Sequence, residues 1–265
     1  MKARRNQAHA LLAYAQLFEK STIRSGELQK ALQLSVHQER ELFRRLSKSR
    51  LIARVRPGLY LVPPRLPLGG MRSPDEVLAL TTLIEDRGGR YQICGPNAFN
   101  FYGFDEQIPN STYAYNNVIS GERTIGKAKL RLVEVADERL GSTKMVKINA
   151  RLTAVYSSRA RTLIDAVYDW SRFNGLPRAY RWIQIELDKG NVTAKELVSV
   201  ALRYGDKSSI RRIGMLLEQL GVDGALLRQL ERRVPRTTAF IPWIPTLPKR
   251  GTANRRWGVV LNGKL

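Results

Sequence analysis

The stretch from Leu51 to Val62 limits what this chain can fold into more than any other. Leu51-Ile52-Ala53-Arg54-Val55 alternates like a strand, Arg56-Pro57-Gly58 supplies a turn, and Leu59-Tyr60-Leu61-Val62 returns until Pro63-Pro64 stops it. Proline presets φ and glycine accepts a positive φ, so the segment predicts a β-hairpin. The preceding residues read as helices. Ala8 to Glu19 sets Leu11, Leu12, Ala15 and Phe18 at helical spacing. Ser25 suits the N-cap of a short second helix through Leu28 and Leu32. Ser35, with Gln38 three residues on, forms a capping box that opens a third. In that helix Glu39, Leu42, Phe43 and Leu46 mark one side, and the last three can bury. His37, Gln38, Arg40, Glu41, Arg44, Arg45 and Lys48 face outward or to the flanks. Two short helices with a tight connection, followed at once by a hairpin, describe a winged helix-turn-helix over residues 1–65.

That reading carries an interface with it. Ser35, His37, Gln38, Arg40 and Arg44 would supply base-edge and nearby phosphate contacts. Arg45, Lys48, Arg54 and Arg56 would supply phosphate and minor-groove contacts. A small helical domain with a solvated charged face would explain the charges, but not the order of elements or the basic hairpin tip.

The charge balance agrees. Lysine and arginine number 45 against 23 acidic residues, a formal charge of +22. Solubility does not require such an excess, and its simplest use is attraction to a polyanion. Residues 1–70 carry 14 basic and 4 acidic side chains, and residues 232–265 carry 8 basic and none acidic. The body between them is nearly balanced. No run of 18 apolar residues exists, so no membrane association is expected, and the start does not read as a signal peptide. A single cysteine, Cys94, excludes an internal disulfide framework and a cysteine-based zinc cluster, and fits a reducing cytoplasm.

Beyond the head, the proline- and glycine-rich residues 66–72 read as a linker. Residues 73–231 read as a mixed α+β domain, strands first and helices afterwards. Ser73-Pro74-Asp75 opens a helix, and strands are expected at 91–94, 112–117, 129–135, 145–148 and 152–155. Helices are expected at 158–170, 177–188, 193–204, 208–220 and near 223–231. Residues 232–265 read as a mostly extended, basic, proline-rich segment, in which Arg255 to Leu261 could add a last strand. The expected class is therefore α+β with a winged helix-turn-helix at the N-terminus.

Several features imitate chemistry. Gly121 to Lys127 nearly matches the nucleotide-binding P-loop, but Ala128 stands where a magnesium-binding hydroxyl is needed. The alternating Lys129-Leu130-Arg131-Leu132-Val133 stands where a helix is needed. A hairpin with a basic tip is the better reading. Both histidines, His9 and His37, lie in the head, which excludes a Ser-His-Asp triad in the body. Cys94 reads as a buried small residue. Glu122, Glu134, Asp137, Glu138 and Lys129 lack the spacing of a restriction-type nuclease core and read as surface ion pairing. No catalytic residue, metal or cofactor is expected. Arg123, Lys127, Lys129, Arg131, Lys144 and Lys147 form either a second DNA-facing surface or the solvated side of a half-buried sheet. The cluster of Arg203, Lys207, Arg211 and Arg212 is equally open, while the tail, with no acid, leans towards phosphate contact.

Four short segments in order carry a family resemblance. They are Arg56-Pro57-Gly58-Leu59-Tyr60 with Pro63; Ile93 to Ala98 with Tyr102-Gly103-Phe104; Ser158 to Asp165 with Gly175-Leu176; and Ser208 to Glu218 with Leu220-Gly221. In these the chain resembles the AbiEi-type antitoxins of bacterial abortive-infection (type IV) toxin–antitoxin systems, a phage-defence class, although its basic tail is longer. The resemblance implies a repressor that binds repeated sites in its own promoter. It also implies an antitoxin that counteracts a nucleotidyltransferase-like toxin without a stable complex. Two other readings use the same head: a DNA-targeted nuclease built on strands 112–150, and a transcription factor whose second domain senses a small molecule.

Overall fold

A computed structural model describes residues 2–63, 75–234 and 238–263. The expected linker at 66–72, the Ser73-Pro74 helix start and Pro235 lie outside the described residues. In chain order the elements begin α1 (Lys2–Leu17), β1 (Thr22–Arg24), α2 (Glu27–Ala31), α3 (Val36–Lys48), β2 (Ala53–Arg56), β3 (Leu59–Leu61) and α4 (Glu76–Glu85). Next come β4 (Tyr91–Ile93), α5 (Gly95–Phe101), β5 (Thr112–Asn116), β6 (Gly121–Ile125), β7 (Ala128–Glu134), β8 (Thr143–Lys147) and β9 (Thr153–Ser157). Helices α6 (Arg159–Tyr168), α7 (Trp170–Phe173), α8 (Arg178–Asp188), α9 (Ala194–Tyr204), α10 (Lys207–Gln219) and α11 (Gly224–Arg233) follow. The chain closes with β10 (Ile241–Pro242), β11 (Thr252–Asn254) and β12 (Val259–Leu261). The fold is α+β. Among the described residues, no helix is long and apolar enough to cross a membrane.

The chain forms two compact units, and neither is continuous in sequence. The first takes Met1–Tyr91, Asn110–Val135 and Lys147–Thr153; the second takes Gln92–Pro109, Ala136–Val146 and Ala154–Leu265. The sequence reading divides the chain into consecutive segments, 1–65, 66–72, 73–231 and 232–265.

In the first unit, Leu11, Leu12 and Ala15 of α1 pack with Leu28 of α2 and with Leu42, Phe43 and Leu46 of α3. Phe43 stacks on Tyr60 of β3 at 4.3 Å, fastening α3 to the hairpin. The hairpin strands join β1, which the sequence did not suggest, in the order β1-β3-β2. Three residues are too few for periodicity to register. Glu39 is also buried, at 1% exposure. Its carboxylate accepts from the Gly26 N–H (3.0 and 2.9 Å), the Leu28 N–H (3.1 Å) and Gln29 Nε2 (2.8 Å). The first-turn donors of α2, orphaned in any helix, are thereby satisfied from α3. Farther along, β5 runs parallel to β7 and β6 antiparallel to it. Leu130 and Leu132 bury on one face of β7, while Lys129 and Arg131 stay exposed on the other.

In the second unit, β4 and β9 pair in parallel through Ile93 and Tyr156. Helix α6 is buried from Arg161 through Val167, and α10 from Ser209 through Leu217. Helices enclosed on every side form the centre of a unit. Burial pushes the Asp165 carboxyl up against the opposing pull of Arg161, whose Nε lies 2.8 Å from it. Residues 238–263 are not simply extended. They form a three-stranded sheet, β10-β12-β11, anchored by two tryptophans each 1% exposed. Trp243 stacks on Tyr180 at 3.8 Å. Trp257 lies so close to α10 that a Cβ on Gly214 would meet its ring at 2.2 Å. Of the strand expected over Arg255 to Leu261, only Val259–Leu261 is strand, because Asn254 Oδ1 accepts from the Trp257 N–H (3.1 Å) and draws 255–258 into a turn.

Candidate nucleic-acid interface

Helix α3 begins where Ser35 and Gln38 close a complete capping box. Ser35 Oγ accepts from the Gln38 N–H (3.2 Å), and Gln38 Oε1 accepts from the Ser35 N–H (2.8 Å). Both side chains are thus engaged at the helix start, in a local role that competes with reading bases. His37, Arg40, Arg44 and Lys48 recur at three- and four-residue spacing and are all exposed, opposite the buried Glu39, Leu42, Phe43 and Leu46. Arg44 Nε and Nη2 donate to Glu41 at 2.9 and 2.6 Å, and this guanidinium holds the Glu41 carboxyl below the usual carboxylate range. A surface pair of this kind yields easily to a phosphate or a base edge. Arg45 is only partly exposed and donates to Gln7 (3.3 Å).

The hairpin arginines part company. Arg54 is exposed. Arg56 does not project from an open tip: its Nε and Nη2 grip Asp86, just after α4, the latter at 2.8 Å. Arg24, at the end of β1, joins the same carboxylate at 2.9 Å. The Asp86 side chain is 7% exposed, and the Arg56 guanidinium, followed by that of Arg24, holds its carboxyl below the usual range. Sequence reasoning missed Arg24, Asp86 and the buried role of Glu39. The single hint at Asp86 was an acid at a helix C-terminus, where the macrodipole disfavours negative charge.

Of the second basic set, Arg123, Lys127, Lys129 and Arg131 share the β6–β7 hairpin, with Lys127 in its two-residue turn. The P-loop lookalike is this hairpin, as expected. Arg131 pairs with Glu122 across the strands (3.2 Å) and donates to Tyr113 Oη (2.8 Å), so it is part of the exposed sheet face. Lys147 belongs to the first unit, whereas Lys144 belongs to the second, where its ammonium lies 5.6 Å from the Phe101 ring centroid. A cleft of about 1560 Å³ in the first unit brings Arg54 and Lys127 together with Arg50 and Arg151, two cations the sequence reading did not select. Arg151 is paired there with Glu19.

Of the remaining candidates, Arg203 and Lys207 are exposed, whereas others have structural roles. Arg211 and Arg212 are nearly buried and donate to main-chain carbonyls of the C-terminal segment, Ala239 at 3.0 Å and Pro242 at 3.3 and 3.2 Å. In the tail itself, Arg256 is committed to Glu218 (2.5 Å) and Glu231 (3.2 Å), while Arg255 stays exposed. Cys94 is buried at the start of α5. Among the described residues, no three histidine, cysteine, aspartate or glutamate side chains gather as metal ligands would. Glu122 is taken by Arg131, and Asp137 and Glu138 lie in a 3₁₀ turn of the other unit.

No protein-family model matches the chain, and no curated protein matches it. Its fold is similar to that of the RV2827C protein from Mycobacterium tuberculosis, known from a crystal structure. The TM-score is 0.58 at 14% identity, over 95% of this chain and 90% of that one. At this identity the likeness concerns the fold alone.

Proposed function

We propose that this chain binds double-stranded DNA through a winged helix-turn-helix in its first 65 residues, with α3 as the reading helix. The observation that carries the reading is the exposed stripe of His37, Arg40, Arg44 and Lys48 on a helix whose opposite face is held by the unit's core. Its support includes the order of elements, three helices with a three-stranded antiparallel sheet. The first-unit cleft with Arg50, Arg54 and Lys127 adds cations suited to phosphates. On the family resemblance we further read the chain as a repressor of its own operon. By the same resemblance it is a cytoplasmic antitoxin that counteracts a nucleotidyltransferase-like toxin without stable complex formation.

The test is titration of the full chain against the DNA upstream of its own gene and against a scrambled duplex, at several salt concentrations. Saturable preference for the native sequence, falling steeply with salt, is the expected result. Equal binding to both duplexes would reduce the head to an electrostatic anchor. Arg44→Ala is expected to weaken the preferred duplex by roughly tenfold or more while affecting the scrambled one less. A uniform loss on both would make Arg44 a phosphate contact instead. For the antitoxin reading, co-expression with the neighbouring gene is expected to rescue growth, and failure to rescue would remove that part alone.

A further inference from the structure

Arg24 of β1 and Arg56 of the hairpin are already occupied. Arg24 and Arg56 both register opposite Leu59 of β3, at one end of the sheet, and both bond the same carboxylate. Arg56 approaches Asp86 side-on through Nε and Nη2, the fork geometry by which arginine also takes a phosphate. The exposures are unequal. The Asp86 side chain is 7% exposed, while those of Arg24 and Arg56 are 56% and 39% exposed. Two cations share one anion, which leaves the tip with a net positive charge, and the anion stands where its own helix dipole opposes it.

We propose that Asp86 is an internal stand-in for a DNA phosphate, which holds Arg24 and Arg56 in the free protein and yields them to the duplex backbone on binding. The inference rests on the duplex-binding reading above and adds to it a residue that sets affinity without touching DNA. Asp86 then lowers binding to all sequences alike, because the backbone is the same in each. Specificity is left to α3.

The experiment compares the wild-type chain, Asp86→Asn, the double variant Arg24→Ala/Arg56→Ala and the triple variant, each titrated with upstream and scrambled duplexes across salt. Asp86→Asn is expected to bind both duplexes severalfold more tightly with an unchanged salt slope. That gain is expected to vanish in the triple variant. The double variant is expected to lower the slope by about 1.8, two phosphates at roughly 0.9 each. A folded Asp86→Asn variant, judged by its thermal transition, with unchanged or weaker binding overturns the proposal. If Asp86→Asn does not fold, the double variant decides, since an unchanged slope means the arginines never leave Asp86. Wild-type chain that binds neither duplex overturns the parent reading and this one with it. Wild-type binding with an unaltered slope in the double variant overturns this one alone.

Discussion

Trp257→Ala is expected to destabilise the second unit by about 3–5 kcal/mol, the range for removing a large buried aromatic side chain. The ring is 1% exposed and lies against Gly214 of α10, and its Nε1 donates to Glu218 at 2.8 Å. Truncation opens a cavity beside a helix buried over 209–217 and takes a donor from a part-buried carboxylate, two losses that add. Gly214→Ala attacks the same contact from the other side, because the new methyl would stand 2.2 Å from the ring. Thermal unfolding checks both. A control at exposed Arg255 is expected to leave the transition in place. If Trp257→Ala melts with the wild type, residues 238–263 are an appendage and the packing described above is wrong. The contrast matters for function, since the 8 basic residues of 232–265 invite a reading as a free polycationic arm.

Glu39→Ala is expected to cost about 3 kcal/mol and to abolish duplex binding with it. The alanine leaves the Gly26 and Leu28 N–H groups and the Gln29 amide without their acceptor inside the first unit. Helix α2 has five residues, too few to persist without tertiary support, so loss of the brace frees it from α3. Glu39→Gln is expected to recover part of the loss. Its single carbonyl oxygen still accepts, but its NH₂ faces donors where a carboxylate oxygen stood. Chemical denaturation gives the stability change, and titration with the upstream duplex gives the functional one. A cost below about 1 kcal/mol would mean the carboxylate is incidental to the α2–α3 geometry.

The elements that could be read from the sequence share one property: their determinants lie within a few residues of each other. The capping box at Ser35–Gln38 forms, and the helices expected at 177–188 and 193–204 are found at Arg178–Asp188 and Ala194–Tyr204. The basic-tipped hairpin at Gly126-Lys127 and the leucine-in, charge-out alternation of β7 were equally local. So was the exposed stripe of α3, because helical periodicity alone sorts its residues by face.

Partners were the other matter. Arg56 is an arginine at a turn until Asp86, 30 residues away, takes hold of it. Glu39 looks like one more polar residue on a charged helix until the N-terminus of α2 arrives to be capped. Arg211 and Arg212 join a basic cluster on paper and bury under a segment almost 30 residues later. The parallel pairing of β5 with β7 and the division into two interleaved units likewise depend on chain contacts that no local period encodes. Most helices, the turns and the cationic face of α3 were legible from backbone propensity and spacing, which are local. Which of those cations stay open to a ligand follows from the folded chain, because an ion pair depends on distance in space and not on distance along the chain.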